Sequence, residues 1–338
     1  MISTRTIRTL GWGSLGLAAV ALAIAIYVAR TWNRTWDAPL PDVQASTDPE
    51  IIKRGEYLVF GPAHCVECHT ASPEAFEQYV ETKVRPALVG GMPFSTQPLG
   101  TVYSKNLTPD GDTGIGRYSD GQVVRVLRYS VLPDGRASVR PLMQYAGMSD
   151  QDLTAIVSFL RAQPPIRHEV PDNRWSLIGK IVKSLSPAFK PRVDVHAPAE
   201  APPASPTRAR GEYLARAVSN CGGCHSPLNQ MTLQLSGPEF SGGAPIEPRQ
   251  LPGVDRTRWF QPPNLTPRDG SATTRFPDRE TFVARFQRGG RKYPESPMPW
   301  DCFGRMTAED LGALYDFFMS LPSAGPESPS DPTVEHSG

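Results

Sequence analysis

Two short segments of this sequence combine cysteine and histidine at a spacing that suits covalent attachment of a porphyrin. The first is Cys65-Val66-Glu67-Cys68-His69, and the second is Cys221-Gly222-Gly223-Cys224-His225. Two thiols three positions apart can each bond one vinyl group of a porphyrin, and the histidine that follows can bind its iron. The repeated pattern predicts two covalently bound haem c groups. The predicted cofactor-binding residues in these segments are Cys65, Cys68, His69, Cys221, Cys224 and His225, with His69 and His225 as ligands of the iron.

Two other uses of these cysteines, structural zinc and disulfide bonds, fit the sequence less well. A structural zinc site needs four good ligands close together. Outside the two segments the chain has one cysteine, Cys302, and four histidines that are widely scattered. Cys302 has no partner cysteine of its own, so we expect it to be a small buried residue rather than a reactive thiol.

The second axial ligand of each iron should be a methionine late in each half of the chain. A thioether closes the distal side of a haem and favours one-electron cycling over the binding of gases or peroxide. Met298 stands between Pro297 and Pro299, which keep its backbone out of a helix. Met143 follows the first segment at almost the same distance as Met298 follows the second. The sequence favours these two residues and leaves open Met148, Met306 and Met92.

Length and composition predict a chain of about two domains. The 338 residues include 36 prolines and 29 glycines, which suit small domains with ordered loops or Pro-rich linkers. The charges nearly cancel, to a net +1, and no basic footprint typical of nucleic-acid binding is present in the sequence. We therefore expect no nucleic-acid partner.

The N-terminal residues 1–34 predict a membrane anchor. Leu10 to Ala29 is a run without charged residues and has the ~20-residue length that a helix needs to cross a bilayer core. A cleaved signal peptide, the competing interpretation, has a shorter apolar region of ~7–15 residues and a small-residue cleavage site. Haem c is attached outside the bacterial inner membrane. The expected location is therefore that membrane, spanned once, with the haem domains in the periplasm.

The first predicted haem domain covers residues 48–162. Asp48 and Pro49 have the residue types of a helix cap and a first helical position, and this helix should run into the first cysteine segment. Near the end of the domain, Ser149 to Asp152 fits a capping box for a last helix, which should stop before Pro164.

The second predicted haem domain, residues 208–322, repeats the first. Arg54-Gly55-Glu56-Tyr57-Leu58 returns as Arg210-Gly211-Glu212-Tyr213-Leu214, at the offset that also separates the two cysteine segments. The phrase Asn-Leu-Thr-Pro begins at Asn106 and again at Asn264, and these asparagines could bond near the haem or hold a turn. The sequence thus indicates a duplicated haem-binding unit.

The remaining segments are a linker and a tail. Residues 163–207 predict a Pro-rich linker with a short amphipathic segment between Trp175 and Leu185. Two placements of that segment are open: packing on a haem domain, or lying on a membrane surface. Residues 323–338 are rich in Ser, Pro and Glu and predict a disordered tail.

Both units resemble class I cytochrome c domains, and the pair resembles the membrane-anchored dihaem cytochromes c related to the cytochrome subunits of bacterial alcohol and gluconate dehydrogenases. The resemblance rests on Gly-Glu-Tyr-Leu before each cysteine segment, on Asn-Leu-Thr-Pro, and on Met298-Pro299-Trp300. It implies iron ligation by His and Met, and an all-α fold with the N-terminal transmembrane helix followed by two cytochrome c-like haem domains. Those subunits commonly carry three haem motifs, whereas this chain has two.

The resemblance also implies a function in electron transfer without substrate chemistry of its own. Single electrons would pass between a membrane or periplasmic dehydrogenase and the respiratory chain, at quinone or a terminal oxidase. The redox partners would be a dehydrogenase subunit, an oxidase or another cytochrome. The alternative is a haem enzyme, such as a dihaem peroxidase or a thiosulfate-oxidising cytochrome, which needs an open or unusually ligated haem.

Overall fold

The computed structural model describes residues 4–249 and 255–335, with side chains from residue 16 onward. The helices of this part of the chain are α1 (Thr4–Thr31), α2 (Pro49–Phe60), α3 (Cys65–His69), α4 (Pro73–Thr82), α5 (Asp120–Tyr129), α6 (Asp150–Arg161), α7 (Leu177–Leu185), α8 (Arg208–Tyr213), α9 (Cys221–His225), α10 (Arg279–Gln287), α11 (Trp300–Phe303) and α12 (Ala308–Met319). The strands are β1 (Pro93–Thr96), β2 (Gly100–Tyr103), β3 (Arg174–Trp175), β4 (Arg258–Phe260) and β5 (Thr333–Glu335), in two small antiparallel sheets ordered β1-β2-β3 and β4-β5. A π-helical turn, Leu214–Val218, extends α8.

The main helices begin where side-chain caps place them. Asp48 accepts a hydrogen bond from the Glu50 N–H at the start of α2, and Ser149 accepts one from the Asp152 N–H at the start of α6. Thr307 caps α12 in the same way. Each cap satisfies a backbone donor that a helix N-terminus otherwise leaves free. The predicted starts of these helices are confirmed.

The first and last helices of each unit cross closely at a glycine. A Cβ atom on Gly55 of α2 would lie 1.9 Å from the carbonyl oxygen of Ala155 in α6. On Gly211 of α8, it would lie 1.9 Å from the carbonyl oxygen of Ala313 in α12. Only glycine permits this approach. The repeated Arg-Gly-Glu-Tyr-Leu phrase therefore marks the same helix crossing in both units.

The strands overturn the all-α fold class. β1 and β2 form a hairpin in the first unit, and the two-residue β3 from the linker pairs with β2. β5 lies in the tail that was expected to be disordered, and it pairs with β4. These strands are only two to four residues long, and β3 and β5 pair with strands that lie far away in the sequence. Such short segments carry no clear alternating pattern, so the helical periodicity of the chain dominated the prediction.

The N-terminal helix overturns a second prediction. α1 contains the Leu10 to Ala29 run, but the side chains before residue 16 lie outside the described part of the structure. Across the described residues, no helix has both the length and the apolar character needed to cross a membrane, so the predicted transmembrane helix is wrong.

The amphipathic linker segment packs on the first unit. A Cβ atom on Gly179 of α7 would lie 1.9 Å from the carbonyl oxygen of Leu99, between β1 and β2. On the other side, the ammonium groups of Lys180 and Lys183 lie 4.8 and 5.6 Å from the ring centroid of Trp32, after α1. Of the two placements open from the sequence, the structure therefore shows packing on a haem unit.

The two units contact each other through a tyrosine and a buried ion pair. In the second unit, the Arg210 guanidinium donates to both oxygens of Asp310, at 2.7 and 2.9 Å, and both side chains are 1% exposed. Tyr57 of the first unit donates its hydroxyl to the same carboxylate at 2.6 Å. The carboxylate at the start of α12 is therefore satisfied from both units.

The same arrangement occurs with the units exchanged. Arg54 donates to both oxygens of Asp152 at 3.0 and 3.1 Å, and Tyr213 of the second unit donates to Asp152 at 2.8 Å. The two contacts are thus equivalent, as in a symmetric dimer whose two copies have been joined in one chain. The tyrosine of each repeated phrase reaches into the other unit.

Candidate haem-binding sites

The histidine of each attachment segment is fixed through one ring nitrogen. His69 Nδ1 donates to the carbonyl oxygen of Lys105 at 2.8 Å, and His225 Nδ1 donates to that of Pro263 at 2.7 Å. A carbonyl oxygen can only accept, so Nδ1 carries the proton in each ring. The lone pair of Nε2 is then free to bind a metal, and the ring orientation is set by the bond at Nδ1.

The electrostatic surroundings keep both imidazoles neutral. Burial is the main cause that lowers the pKa of His69 and of His225. The hydrogen bond to the carbonyl oxygen opposes this effect only in part. A histidine must be deprotonated at the coordinating nitrogen to bind iron, so the low pKa favours the form that a ligand needs.

A buried asparagine holds the loop that supplies the carbonyl in the second unit. Asn264 directly follows Pro263, and its Oδ1 accepts from the N–H and the hydroxyl of Thr266, both at 2.8 Å. Its Nδ2 donates to the carbonyl oxygens of Ala324 and Pro326 at 2.7 and 2.8 Å. The amide of Asn264 therefore forms all of its hydrogen bonds with backbone groups and with the Thr266 hydroxyl.

Asn106 does the same in the first unit. It follows Lys105, accepts from the N–H and hydroxyl of Thr108 at 2.9 and 2.8 Å, and donates to the carbonyl oxygen of Ile166 at 2.9 Å. Of the two roles left open by the sequence, the structure shows that these asparagines hold a turn. Through that turn they position the carbonyl that orients the histidine.

The two attachment helices begin with the same unusual backbone conformation. His64, before α3, has φ of 42°, and Asn220, before α9, has φ of 49°. This left-handed conformation turns the chain so that a one-turn helix starts at the first cysteine of each segment. The His64 ring packs edge-on to Phe303, with 5.7 Å between the ring centroids. His64 is thus a turn residue packed at the contact between units.

The cysteines of both segments are available for attachment. Cys65, Cys68, Cys221 and Cys224 form no disulfide, and none of the four is fully enclosed. Cys302, by contrast, is buried with no exposed surface, as expected from the sequence. Its carbonyl oxygen would lie 3.9 Å from a Cβ atom on Gly61, at the contact between the units.

The methionine candidates divide by burial. Met148 and Met306 are 0% and 2% exposed and lie in the hydrophobic core, and Met92 is also buried. Met143 and Met298 are half-buried and pack against the edge of that core. A thioether enclosed on all sides is committed to packing, whereas a half-buried one is free to meet a ligand. The assignment of Met143 and Met298 as distal ligands stays a prediction, and their burial agrees with it.

Arg291 is a residue near the site that the sequence analysis missed. It is 7% exposed, and its Nη1 donates to the carbonyl oxygen of Ser296 at 2.6 Å and to that of Met298. Its Nε donates to Asp301 at 2.9 Å. Gly289 and Gly290, with φ of 68° and 77°, form the turn that delivers it. The sequence signal for Arg291 was this pair of glycines, because two consecutive glycines indicate a turn directly before it.

The residues of each unit fit a covalently bound haem. Each unit has two unpaired thiols at the attachment spacing, an imidazole with Nε2 free, and a half-buried thioether. This donor set is the one that haem c requires. The sites are therefore of the kind found in c-type cytochromes.

Comparison with known proteins narrows the class. No family model matches the chain. It is 34% identical to the cytochrome c subunit of the quinone alcohol dehydrogenase of Gluconobacter oxydans, over 59% of this chain and 41% of that protein. It is also 34% identical to the gluconate 2-dehydrogenase cytochrome c subunit of Pantoea cypripedii, over 58% of this chain and 42% of that protein. A dihaem cytochrome c-type protein of Cereibacter sphaeroides is 28% identical, over 69% of this chain and 76% of that protein.

The chain is related to the cytochrome c subunits of bacterial dehydrogenases and to this dihaem cytochrome c. The resemblance to dihaem cytochromes c related to these subunits is therefore confirmed, without the membrane anchor. The matched regions cover less than half the length of the alcohol and gluconate dehydrogenase subunits.

Proposed function

We propose that this protein transfers single electrons from a dehydrogenase to the respiratory chain through two haem c groups. The observation that carries the proposal is the duplicated donor set, in which each unit contains an oriented, neutral histidine and a half-buried methionine. The names of the relatives support a dehydrogenase as the electron donor, since two of them are cytochrome c subunits of such enzymes.

The protein's part in this function is to hold the axial ligands in place in both redox states. When bound, haem iron supplies the one-electron chemistry. The carbonyl groups of Lys105 and Pro263 fix the two imidazoles, and Arg291 fixes the loop of Met298. Ligands that do not rearrange keep the cost of each electron transfer low.

The first attachment segment lies at the contact between the units. The ring of His64, directly before it, packs against Phe303 of the second unit, with 5.7 Å between the ring centroids. Glu67, within it, accepts a hydrogen bond from Arg291 of the second unit at 3.2 Å. Such proximity supports transfer between the two haem groups of one chain.

The proposal includes a location and partners. The haem units work on the periplasmic side of a bacterial inner membrane, where haem c is attached. The donor is a dehydrogenase, and the acceptor is quinone, a terminal oxidase or another cytochrome. The protein has no substrate chemistry of its own.

Two experiments test the proposal. Anaerobic reductive titration of the purified protein should take up two electrons per chain, one for each haem, and the reduced protein should be reoxidised by a quinone analogue. Purification from membranes in mild detergent should retain a dehydrogenase. Rapid turnover of hydrogen peroxide, or uptake of a single electron, would instead support the haem enzyme or a protein with one haem.

A further inference from the structure

One buried charge cluster joins the loop of Met298 in the second unit to the attachment helix of the first. Arg291 Nη2 donates to Glu67 Oε1 at 3.2 Å. Glu67 is the middle residue of the Cys65–His69 helix α3 and is 17% exposed. The same guanidinium holds Asp301, which is 9% exposed, and the carbonyl oxygens of the Met298 loop.

The geometry of this cluster requires an arginine. The guanidinium is planar and has five N–H donors in a fixed fork, so one side chain can bind carbonyl oxygens on one edge and carboxylates on the others. Arg291 uses Nε, Nη1 and Nη2 in this way, on Asp301, on the loop and on Glu67. A lysine has the charge but cannot reach all of these acceptors at once.

Removing one partner should loosen the others. Two carboxylates, those of Glu67 and Asp301, flank the single positive charge of Arg291 and orient it. Without Glu67, one edge of the fork loses a charged acceptor, and the guanidinium is free to tilt away from the carbonyl oxygen of Met298. That carbonyl oxygen would retain the Trp300 N–H as a donor, at 2.8 Å, but the loop would no longer be tied to α3.

We propose that Arg291 is a positioning residue for the distal methionine of the second haem, and that Glu67 of the first attachment segment acts on that methionine through it. This inference rests on the proposed function, because it takes Met298 as the ligand of the second haem. Glu67, which lies between the two cysteines of the first attachment segment, would thus serve the haem of the other unit.

Glu67→Gln is the direct test, because it removes the charge and keeps the shape. Both haems should stay attached, as seen by intact mass. The far-red Met–Fe(III) band of the second haem, assigned by its loss in Met298→Ala, should weaken. Carbon monoxide should bind the reduced second haem about tenfold faster than in the wild type, because the hydrogen bond from Arg291 loses its charged acceptor and becomes weaker. Arg291→Lys should have the same effect.

Tyr57→Phe is the matched control. It also removes a polar contact between the units, but the Tyr57 hydroxyl bonds Asp310 and the Thr307 N–H, and not Arg291 or the Met298 loop. The band and the carbon monoxide rate of the second haem should stay at wild-type values. A change as large as that in Glu67→Gln would show that general loosening of the unit contact, and not the Arg291 cluster, is responsible, and would overturn the inference.

Two other results would also overturn it, and they can be told apart. If Glu67→Gln leaves the second haem unchanged, or alters only the first haem, the coupling is absent while the proposed function stands. If the wild type itself has no methionine band at the second haem, the ligand set of the proposed function fails, and the inference fails with it.

Discussion

At the scale of single residues, substitution of the two late methionines of the second unit, Met298 and Met306, should have different effects. Met298→Ala should leave the haem attached, lower its reduction potential and open it to carbon monoxide, because a thioether ligand favours Fe(II) and closes the distal side. Met306→Ala should keep the iron closed and instead destabilise the fold by about 2–5 kcal/mol, because Met306 is 2% exposed in the core.

Spectroscopy and urea unfolding separate these effects. The far-red Met–Fe(III) band reports the ligand, and the unfolding midpoint reports the packing. Loss of the band in Met306→Ala with the band retained in Met298→Ala would reverse the assignment. Met143 and Met148 form the corresponding pair in the first unit: Met143→Ala should abolish the band of the first haem, and Met148→Ala should lower the unfolding midpoint.

A second residue-scale prediction concerns the asparagine that holds the carbonyl of Pro263. Asn264→Ala should reduce the free energy of unfolding by about 1–3 kcal/mol for each buried group left without a partner, because the side chain is 2% exposed and fully bonded. It should also shift the potential of the second haem, since His225 loses its fixed acceptor. Asn229→Ala, which removes a similar turn contact at an exposed site, should change stability by no more than about 0.5 kcal/mol. Equal effects of the two variants would contradict this account.

At the scale of helices, the buried ion pair between α8 and α12 should be worth far more than a surface pair. Asp310→Asn leaves the Arg210 charge buried without its partner and should cost about 3–5 kcal/mol. Asp316→Asn removes the partner of Arg279, a pair that is 50% and 24% exposed, and should cost at most about 1 kcal/mol. Chemical unfolding of the holoprotein measures both losses of stability. Similar losses in the two variants would contradict the claim that burial makes the Arg210–Asp310 pair more stabilising.

The contribution of this ion pair should depend on pH in one direction. Burial by itself raises the pKa of Asp310, but the hydrogen bonds and charge of Arg210 outweigh it, so the folded-state pKa is lowered. A lowered carboxyl pKa stabilises the fold above the unfolded-state value, about 3.9, and this contribution is lost as the pH falls through the folded-state value. The stability difference between wild type and Asp310→Asn should therefore be constant near neutral pH and shrink below about pH 4. A stability difference that grows on acidification would contradict a lowered pKa of Asp310 in the folded state.

The helices were predictable because their signals are local. Asp48, Ser149 and Thr307 each cap the helix that their position indicates. The strands were not, since β5 is three residues long and gains its stability from β4, which lies far away in sequence. The transmembrane helix was predicted from the length of the apolar N-terminal run alone. Length was not a sufficient criterion, because no described helix is apolar enough over that length to cross a membrane.

At the scale of the whole molecule, the contact between the units uses side chains whose pairing the sequence does not reveal. Electron transfer between two haems of one chain requires the units to pack together. The repeat showed that Tyr57 and Tyr213 are equivalent, but the sequence does not show that each one bonds the aspartate of the other unit. The Arg291 cluster was equally hidden, because Glu67 is one of two variable positions inside an attachment segment.

The duplication predicts independent attachment of the two cofactors. Intact mass after acid-acetone extraction should show two haems per chain, because a thioether survives treatment that removes free haem. Cys65→Ala should weaken or remove attachment in the first unit and leave the second coloured, and Cys221→Ala should do the reverse. A chain that loses all colour on extraction, or that carries one haem, would refute the duplicated site.

The most direct test of the electron-transfer account is the absorption spectrum of the reduced, full-length protein with and without carbon monoxide. The account assigns a histidine and a methionine to each iron, so both irons should be six-coordinate and low-spin. The spectrum should then remain unchanged for minutes after carbon monoxide is added, and the oxidised protein should show the far-red methionine band. Rapid carbon monoxide binding at either haem would contradict the account and favour a haem enzyme.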